Sequence, residues 1–143
     1  SLDDSVHFMA TQIRSLLTQA GIRCICSIEG TWPSLALTME QRRNVFLVLK
    51  EAAHNTMKHG NAISVMLSFS WAPGLQIHHG DDGSGFKEQA GSVGGNGLRN
   101  MRKRMADIGA TFRIDGTNGT RIDIHLPDKA ISGNQGSTDR SLA

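Results

Sequence analysis

The chain has 143 residues, of which 38% are hydrophobic and 20% are charged, and its formal net charge is +2. This composition is that of an ordinary globular protein, and the length suffices for one domain with its own hydrophobic core. A net charge so close to zero gives no electrostatic reason to expect a nucleic-acid partner or a membrane surface.

The sequence also lacks the usual signs of secretion or membrane insertion. No signal peptide is recognisable, and no apolar run approaches the ~20 residues of a membrane span. Cys24 and Cys26 stand two residues apart in a predicted strand, where their side chains share a face but are poorly placed for a disulfide. We therefore expect a cytoplasmic domain with packed cysteines, although a parent protein could carry a membrane anchor elsewhere.

Hydrophobic periodicity predicts helices and strands in an order typical of an α+β protein. In chain order we expect a helix over 3–20, a strand over 22–28, a loop over 30–37, a helix over 39–59, strands over 63–71 and 75–79, a helix over 98–108 and strands over 111–115 and 120–126. Because most strands follow other strands, we predict a two-layer sandwich in which helices cover one face of a mixed, mostly antiparallel sheet. The polar segment 128–143 is expected to be a disordered tail, so the folded domain would comprise residues 1–127.

The helix over 39–59 carries a polar stripe. Thr38 and Gln41 form the signature of a capping box at its start. Further along, Glu51, Asn55 and Lys58 recur at spacings of four and three, so they line up on the side opposite the apolar residues. Asn55 could offer an oxygen to Mg²⁺, Glu51 could accept a proton, and Lys58 could neutralise a phosphate. Taken alone, a solvated helix face is the more common explanation of such a stripe.

The second candidate segment is 81–85, Asp-Asp-Gly-Ser-Gly, which follows an alternating strand. Gly83 and Gly85 permit backbone angles, or a close ligand approach, that a side chain would prevent. An ionised carboxylate at Asp81 can accept a hydrogen bond from an exocyclic amine such as that of adenine. By itself, however, an Asp-Gly turn is common without any function.

The third candidate segment is 95–98, Gly-Asn-Gly-Leu, at the start of a helix. Free N–H groups at a helix start bind phosphate, and glycines let the phosphate come close. The segment is not a Walker A loop, because the Gly-Lys-Ser/Thr ending is missing, and no strand runs directly into it as a dinucleotide fingerprint requires. A flexible glycine loop remains the alternative for this segment.

Two histidines before Asp81 are unusual. His79 stands two positions before the carboxylate, where we expect an apolar residue, and Gly80 follows it. His78 and His79 are adjacent on a strand, so their side chains point to opposite faces and do not suit a shared metal ion.

Together the three segments resemble the ATPases grouped with gyrase, the heat-shock chaperone, histidine kinases and the mismatch-repair ATPase. The stretch 51–59 is similar to their N box, 81–86 to their G1 box and 95–98 to their G2 box, and Thr120 lies in a match to the closing segment. Order and spacing match over roughly residues 20–127. The segment 97–104 is similar to the corresponding segment of bacterial sensor histidine kinases of the nitrate-sensor type. The short stretch between the G1 and G2 boxes implies a short ATP lid.

This resemblance implies a Bergerat-type ATP-binding fold with ATP and Mg²⁺ as cofactors. Asp81 would contact the adenine amine, Asn55 would hold Mg²⁺, and Glu51 beside it would be the catalytic, polarising base. The other implied nucleotide-binding residues are Lys58, His59, Gly83, Gly85, Gly95, Gly97, Leu98 and Thr120.

The resemblance also implies partners. The γ-phosphate would pass to a histidine on a separate dimerisation domain of the same kinase, and from there to an aspartate on a response regulator. No helix with such a histidine is visible, since His7 has no acidic residue after it. We expect the catalytic domain alone, monomeric as a fragment of a homodimeric parent protein that could be anchored in the inner membrane.

Two alternative functions are compatible with the same pocket or the same fold. One is an anti-sigma-factor-type kinase that phosphorylates serine on a protein antagonist. The polar start at Ser1 without an initiator methionine favours a fragment over such a small complete regulator. The other is a non-catalytic domain that binds partners but no nucleotide, against which the presence of all the key polar residues argues.

Overall fold

The computed structural model describes residues 1–59, 61–85 and 95–133. In chain order its elements are α1 (Leu2–Gln19), β1 (Arg23–Ile28), β2 (Leu35–Ala36), α2 (Met39–Lys58), β3 (Ser64–Trp71), β4 (Leu75–Asp81), α3 (Gly95–Asp107), β5 (Thr111–Asp115), β6 (Arg121–Leu126), a 3₁₀ helix (Asp128–Ala130) and β7 (Ser132–Gly133). Within these ranges no helix is long and apolar enough to cross a membrane.

The main sheet has five strands in the order β1-β3-β4-β6-β5. β1 runs parallel to β3, and the other neighbouring strands are antiparallel. Along β6 and most of β3 and β4, the most buried residues alternate with more exposed ones, because successive side chains point to opposite faces of a sheet. One core cluster joins the buried sides of the three helices to one face of the sheet. The predicted α+β sandwich with a mixed sheet is thus confirmed.

The start of α2 has the predicted capping box. Thr38 Oγ1 accepts a hydrogen bond from the Gln41 N–H at 3.0 Å, and Gln41 Oε1 accepts one from the Thr38 N–H at 2.9 Å. The Gln41 side-chain amide also donates to the carbonyl of Ala130, in the 3₁₀ helix. Gln41 therefore connects the start of α2 to the segment that follows β6.

The predicted boundary of the folded domain at residue 127 is wrong for residues 128–133. After the 3₁₀ helix, β7 pairs antiparallel with β2, and β2 itself lies within the segment 30–37 that was predicted to be a loop. The physical reason is Ile131, which is buried against the core although its sequence neighbours are polar or small. The rest of the predicted tail, from residue 134, lies outside the described residues.

The two strands that lead to Asp81 differ from the prediction at their ends. Ile63 is 75% exposed, and β3 begins one residue after it. β4 continues to Asp81, since Gly80 still pairs with Met66 on one side and Arg121 on the other. β4 is the central strand of the sheet, so Asp81 lies at the end of a strand that has a neighbouring strand on each side.

Candidate functional site

A cavity opens beside the end of β4, between the last turns of α2 and the start of α3. Its volume is about 510 Å³ including the open mouth. Most of the site residues predicted from the sequence line it, namely Asn55, His59, Asp81, Gly83, Gly85, Leu98 and Thr120. Leu98, Met101 and Ile114 give it apolar walls beside these polar groups. A polar group at one end of an apolar cleft is typical of a small-molecule site.

The Asp81 carboxylate accepts three hydrogen bonds. Its Oδ1 accepts from the backbone N–H groups of Gly83 at 2.9 Å and Thr120 at 3.0 Å. Its Oδ2 accepts from the hydroxyl of Thr56 at 2.7 Å. A carboxylate offers about four acceptor positions, so the bonds recorded for the described residues leave about one, on Oδ2, for a ligand.

Thr56 is the partner of Asp81 that the sequence analysis missed. It is 4% exposed and belongs to the buried side of α2, so its spacing is that of a core residue. Only its position directly after Asn55, at the edge of the polar stripe, distinguishes it from other small core residues. Its hydroxyl connects α2 to the end of β4.

The neighbouring Asp82 has a different role. Its carboxylate accepts from the N–H groups of Ile63 at 2.8 Å and Ser64 at 3.0 Å, and from the Ser64 hydroxyl at 3.0 Å. Hydrogen bonds from the Ser64 and Ile63 backbone lower the pKa of Asp82 below its usual range. Asp82 therefore fixes the chain at the start of β3.

Gly85 and Gly119 are required by close backbone packing around Asp81. Gly85 has a φ of +74°, and a Cβ there would lie 2.0 Å from the carbonyl oxygen of Gly116. Gly119 has a φ of +71°, and a Cβ there would lie 2.1 Å from the carbonyl oxygen of Asp81. Gly83 has more room, since its Cβ would meet Asp81 Oδ1 at 3.2 Å.

Glu51 and Gly97 line a second cavity between α2 and α3 rather than the one at Asp81. A Cβ on Gly97 would lie 2.6 Å from Oε2 of Glu51, so this carboxylate lies against the first turn of α3. A helix start carries partial positive charge and stabilises a carboxylate there. Asn55 and Glu51 are one turn apart on α2, yet they face two adjoining cavities.

Two further predicted residues lie apart from the cavity at Asp81. Lys58 is exposed in the last turn of α2 and lines neither the cavity at Asp81 nor the one at Glu51. Gly95 is the first residue of α3. The predicted lid between the second and third boxes, residues 87–94, lies outside the described residues, as does Gly60.

His79 is buried in the core, with 2% of its surface exposed. Burial lowers the pKa of its imidazole to about 4, although the nearby Asp81 carboxylate partly opposes this. His78 points to the opposite, solvent-facing side of the sheet, where its Nδ1 lies 2.8 Å from Asp123 Oδ1. The two histidines therefore do not share a site, and no metal-binding group of three or more ligands occurs among the described residues.

Comparisons with known proteins support one family. No protein-family model matches the chain. The signal transduction histidine-protein kinase/phosphatase UhpB of Salmonella typhimurium is 33% identical over 135 residues, which cover 91% of this chain and 26% of that protein. The chain spans about a quarter of the length of the curated relatives it matches.

Solved structures show the same fold. The catalytic domain of histidine kinase ThkA has a TM-score of 0.67 and 12% identity, covering 89% of this chain and 92% of that one. Full-length ShkA in complex with AMPPNP has a TM-score of 0.69 and 16% identity, covering 93% of this chain and 30% of that one. The fold is thus that of histidine kinase catalytic domains.

We predict that Gly85→Ala lowers the free energy of unfolding by at least about 2 kcal/mol, because the methyl group would clash with the Gly116 carbonyl at a positive φ. Urea unfolding measures this change. Gly83→Ala is the matched control and should cost clearly less, since Gly83 has neither constraint. Equal effects of the two substitutions would contradict the conclusion that backbone packing requires glycine at position 85.

We also predict that folding stability falls as the pH is lowered from 6.5 towards 4, in part through His79. In the unfolded chain a histidine binds its proton near pH 6.5, whereas in the folded protein the pKa of His79 is about 4. The unfolded state therefore binds more protons in this window, and the loss amounts to about 3 kcal/mol at most. Urea unfolding at several pH values should show a smaller loss in His79→Leu; identical pH profiles would contradict this.

Proposed function

We propose that this chain, which belongs among the sensor histidine kinases by sequence and has the fold of their catalytic domains, binds Mg-ATP and transfers the γ-phosphoryl group to a histidine. That histidine would lie on a separate dimerisation domain of the same kinase, and an aspartate on a response regulator would receive the group next. The observation that best supports nucleotide binding is the Asp81 carboxylate, which lines an apolar-walled cavity with about one acceptor position unfilled.

Base recognition follows from that acceptor position. Adenine has an exocyclic amine that donates a hydrogen bond, whereas guanine has a carbonyl oxygen at the same place. The remaining position on Asp81 Oδ2 would therefore favour adenine and oppose guanine. A hydrogen bond to a charged group contributes about 1.5–3 kcal/mol. Leu98, Met101 and Ile114 would pack against the faces of the ring.

The residues present also fit a magnesium ion and phosphates. Asn55 lines the cavity and has the amide oxygen that Mg²⁺ accepts, and the ion would neutralise phosphate charge. Gly95, Gly97 and Leu98 form the first turn of α3, where N–H groups and the helix dipole favour phosphate. His59 would lie along the nucleotide, and Lys58 would supply a flexible cation to the phosphates.

Glu51 is proposed as the polarising base. It lies on α2 one turn before Asn55, against the first turn of α3. A carboxylate there would orient the attacking imidazole of the dimerisation domain and hold its proton. Phosphoryl transfer requires mainly positioning and charge neutralisation, so few reactive side chains are needed.

The phosphoacceptor would be supplied by another domain, and the transfer would take place in the cytoplasm. His7 is an exposed helical residue whose Nδ1 lies 3.0 Å from the Asp3 carbonyl oxygen, and it does not line the cavity. We propose that the isolated chain is monomeric and that the parent kinase dimerises through the phosphoacceptor domain.

The test is isothermal titration with Mg-ADP. We predict that Asp81→Asn weakens binding at least about tenfold, because the amide can turn an N–H towards the base amine in place of an acceptor. The fold should survive, since Asn retains one oxygen for the Gly83 and Thr120 N–H groups and the Thr56 hydroxyl can accept as well as donate.

Asp82→Asn is the matched control. It changes the adjacent carboxylate in the same way, but Asp82 is bonded to Ile63 and Ser64 instead of lining the cavity. Its affinity for ADP should equal that of the wild type. Unchanged affinity in Asp81→Asn would contradict the base-recognition role.

A further inference from the structure

Asn44 is a polar residue on the buried side of α2, with 6% of its surface exposed. Its side-chain Nδ2 donates a hydrogen bond to the carbonyl oxygen of Arg104, in the last turn of α3, at 3.0 Å. The last carbonyl groups of a helix have no partner within that helix. Those of Met105 and Ala106 accept from backbone N–H groups that follow α3, whereas that of Arg104 accepts from Asn44. Asn44 on α2 therefore caps the end of α3.

A second close contact joins the same two helices at the other end of α3. Gly97 is in the first turn of α3, and a Cβ there would lie 2.6 Å from Oε2 of Glu51 on α2. Asn44 and Glu51 are seven residues apart, and so are Gly97 and Arg104. Seven residues make nearly two helical turns, so each pair lies on one face of its helix, about 10.5 Å apart along the axis. The two helices therefore run antiparallel and touch at two points with equal spacing on both.

The equal spacing couples the two contacts. Leu47 and Met101 line the space between them. Because backbone hydrogen bonds fix the rise per residue at about 1.5 Å, a helix that slides along its neighbour moves as one body. A shift of α3 at its capped end would therefore change the fit of Gly97 against Glu51 at the other end. The Asp81 carboxylate would be less affected, since the hydrogen bonds recorded for it come from α2 and two turns and not from α3.

We propose that Asn44 is a positioning residue, because its bond to the end of α3 sets the axial position of α3 on α2. That position would determine how Glu51 meets the first turn of α3 and where the N–H groups proposed to bind phosphate lie. This inference rests on the proposed function. It assigns to an amide at the far end of the helix pair a role in holding the phosphates, as distinct from the base.

The experiment compares wild type and Asn44→Leu, in which an apolar side chain of similar size cannot donate to the Arg104 carbonyl. NMR titrations measure the affinities of Mg-ADP, which has phosphates, and of adenosine, which has none. We expect Asn44→Leu to bind Mg-ADP at least about fivefold more weakly and adenosine less than about twofold more weakly. In the nucleotide-free variant the Gly97 amide resonance should shift as well. A purely structural cap would lower stability without changing the ratio of the two affinities.

Gln41→Met is the matched control. Gln41 is also 6% exposed on α2, and its side-chain amide also donates to a backbone carbonyl, but that carbonyl belongs to Ala130 rather than to α3. The control should lower the free energy of unfolding, as Asn44→Leu does, and should keep the wild-type ratio of Mg-ADP to adenosine affinity and the wild-type Gly97 resonance.

If Asn44→Leu does not fold, Asn44→Ala takes its place and is judged by the same ratio. A folded variant that keeps the wild-type ratio, or that loses affinity for adenosine as much as for Mg-ADP, overturns the inference. A wild-type chain that binds no Mg-ADP at millimolar concentration overturns the proposed function. The axial position of α3 is judged separately by the nucleotide-free Gly97 resonance, and an unchanged resonance in the variant overturns the positioning role of Asn44.

Discussion

The rest of the site depends on the hydrogen bonds of the Asp81 carboxylate. They connect α2 through Thr56, the turn after β4 through Gly83, and the turn before β6 through Thr120. Each of these donors would otherwise face the cavity or the core without a partner, which is costly. Because one side chain holds three segments together and still has about one acceptor position left, the cavity walls and the group proposed to bind the base are fixed by the same interaction. No rearrangement of these segments is needed to expose the acceptor.

The backbone around Asp81 is shaped by packing more than by any ligand. Gly119 lets the Asp81 carbonyl come close, and Gly85 does the same for Gly116. The two adjacent carboxylates have different roles. Asp81 lines the cavity, whereas Asp82 binds the backbone at the start of β3. The start of α3 adds an electrostatic element, since its N–H groups and helix dipole would favour phosphate.

Periodicity and turn chemistry were sufficient to predict the fold class, the order of the long elements and the capping box at Thr38. They failed for β2 and β7, because strands of two residues have no measurable period, and Ile131 alone in a polar segment gives little signal. The role of Thr56 was invisible because a buried threonine on a helix has the spacing of any core residue. The separation of Glu51 from the cavity at Asp81 depends on where α3 packs against α2, which local sequence does not determine.

The central claim is that an adenine nucleotide binds in the cavity at Asp81. The most direct test follows backbone amide chemical shifts of the ¹⁵N-labelled chain by NMR while Mg-ADP is added. The account predicts that the amides of Gly83 and Thr120, which donate to Asp81, shift together with that of Leu98, while Asp123 on the exposed face of the sheet does not. Unchanged Gly83 and Thr120 amides at saturating nucleotide, or larger shifts on the exposed face, would contradict it.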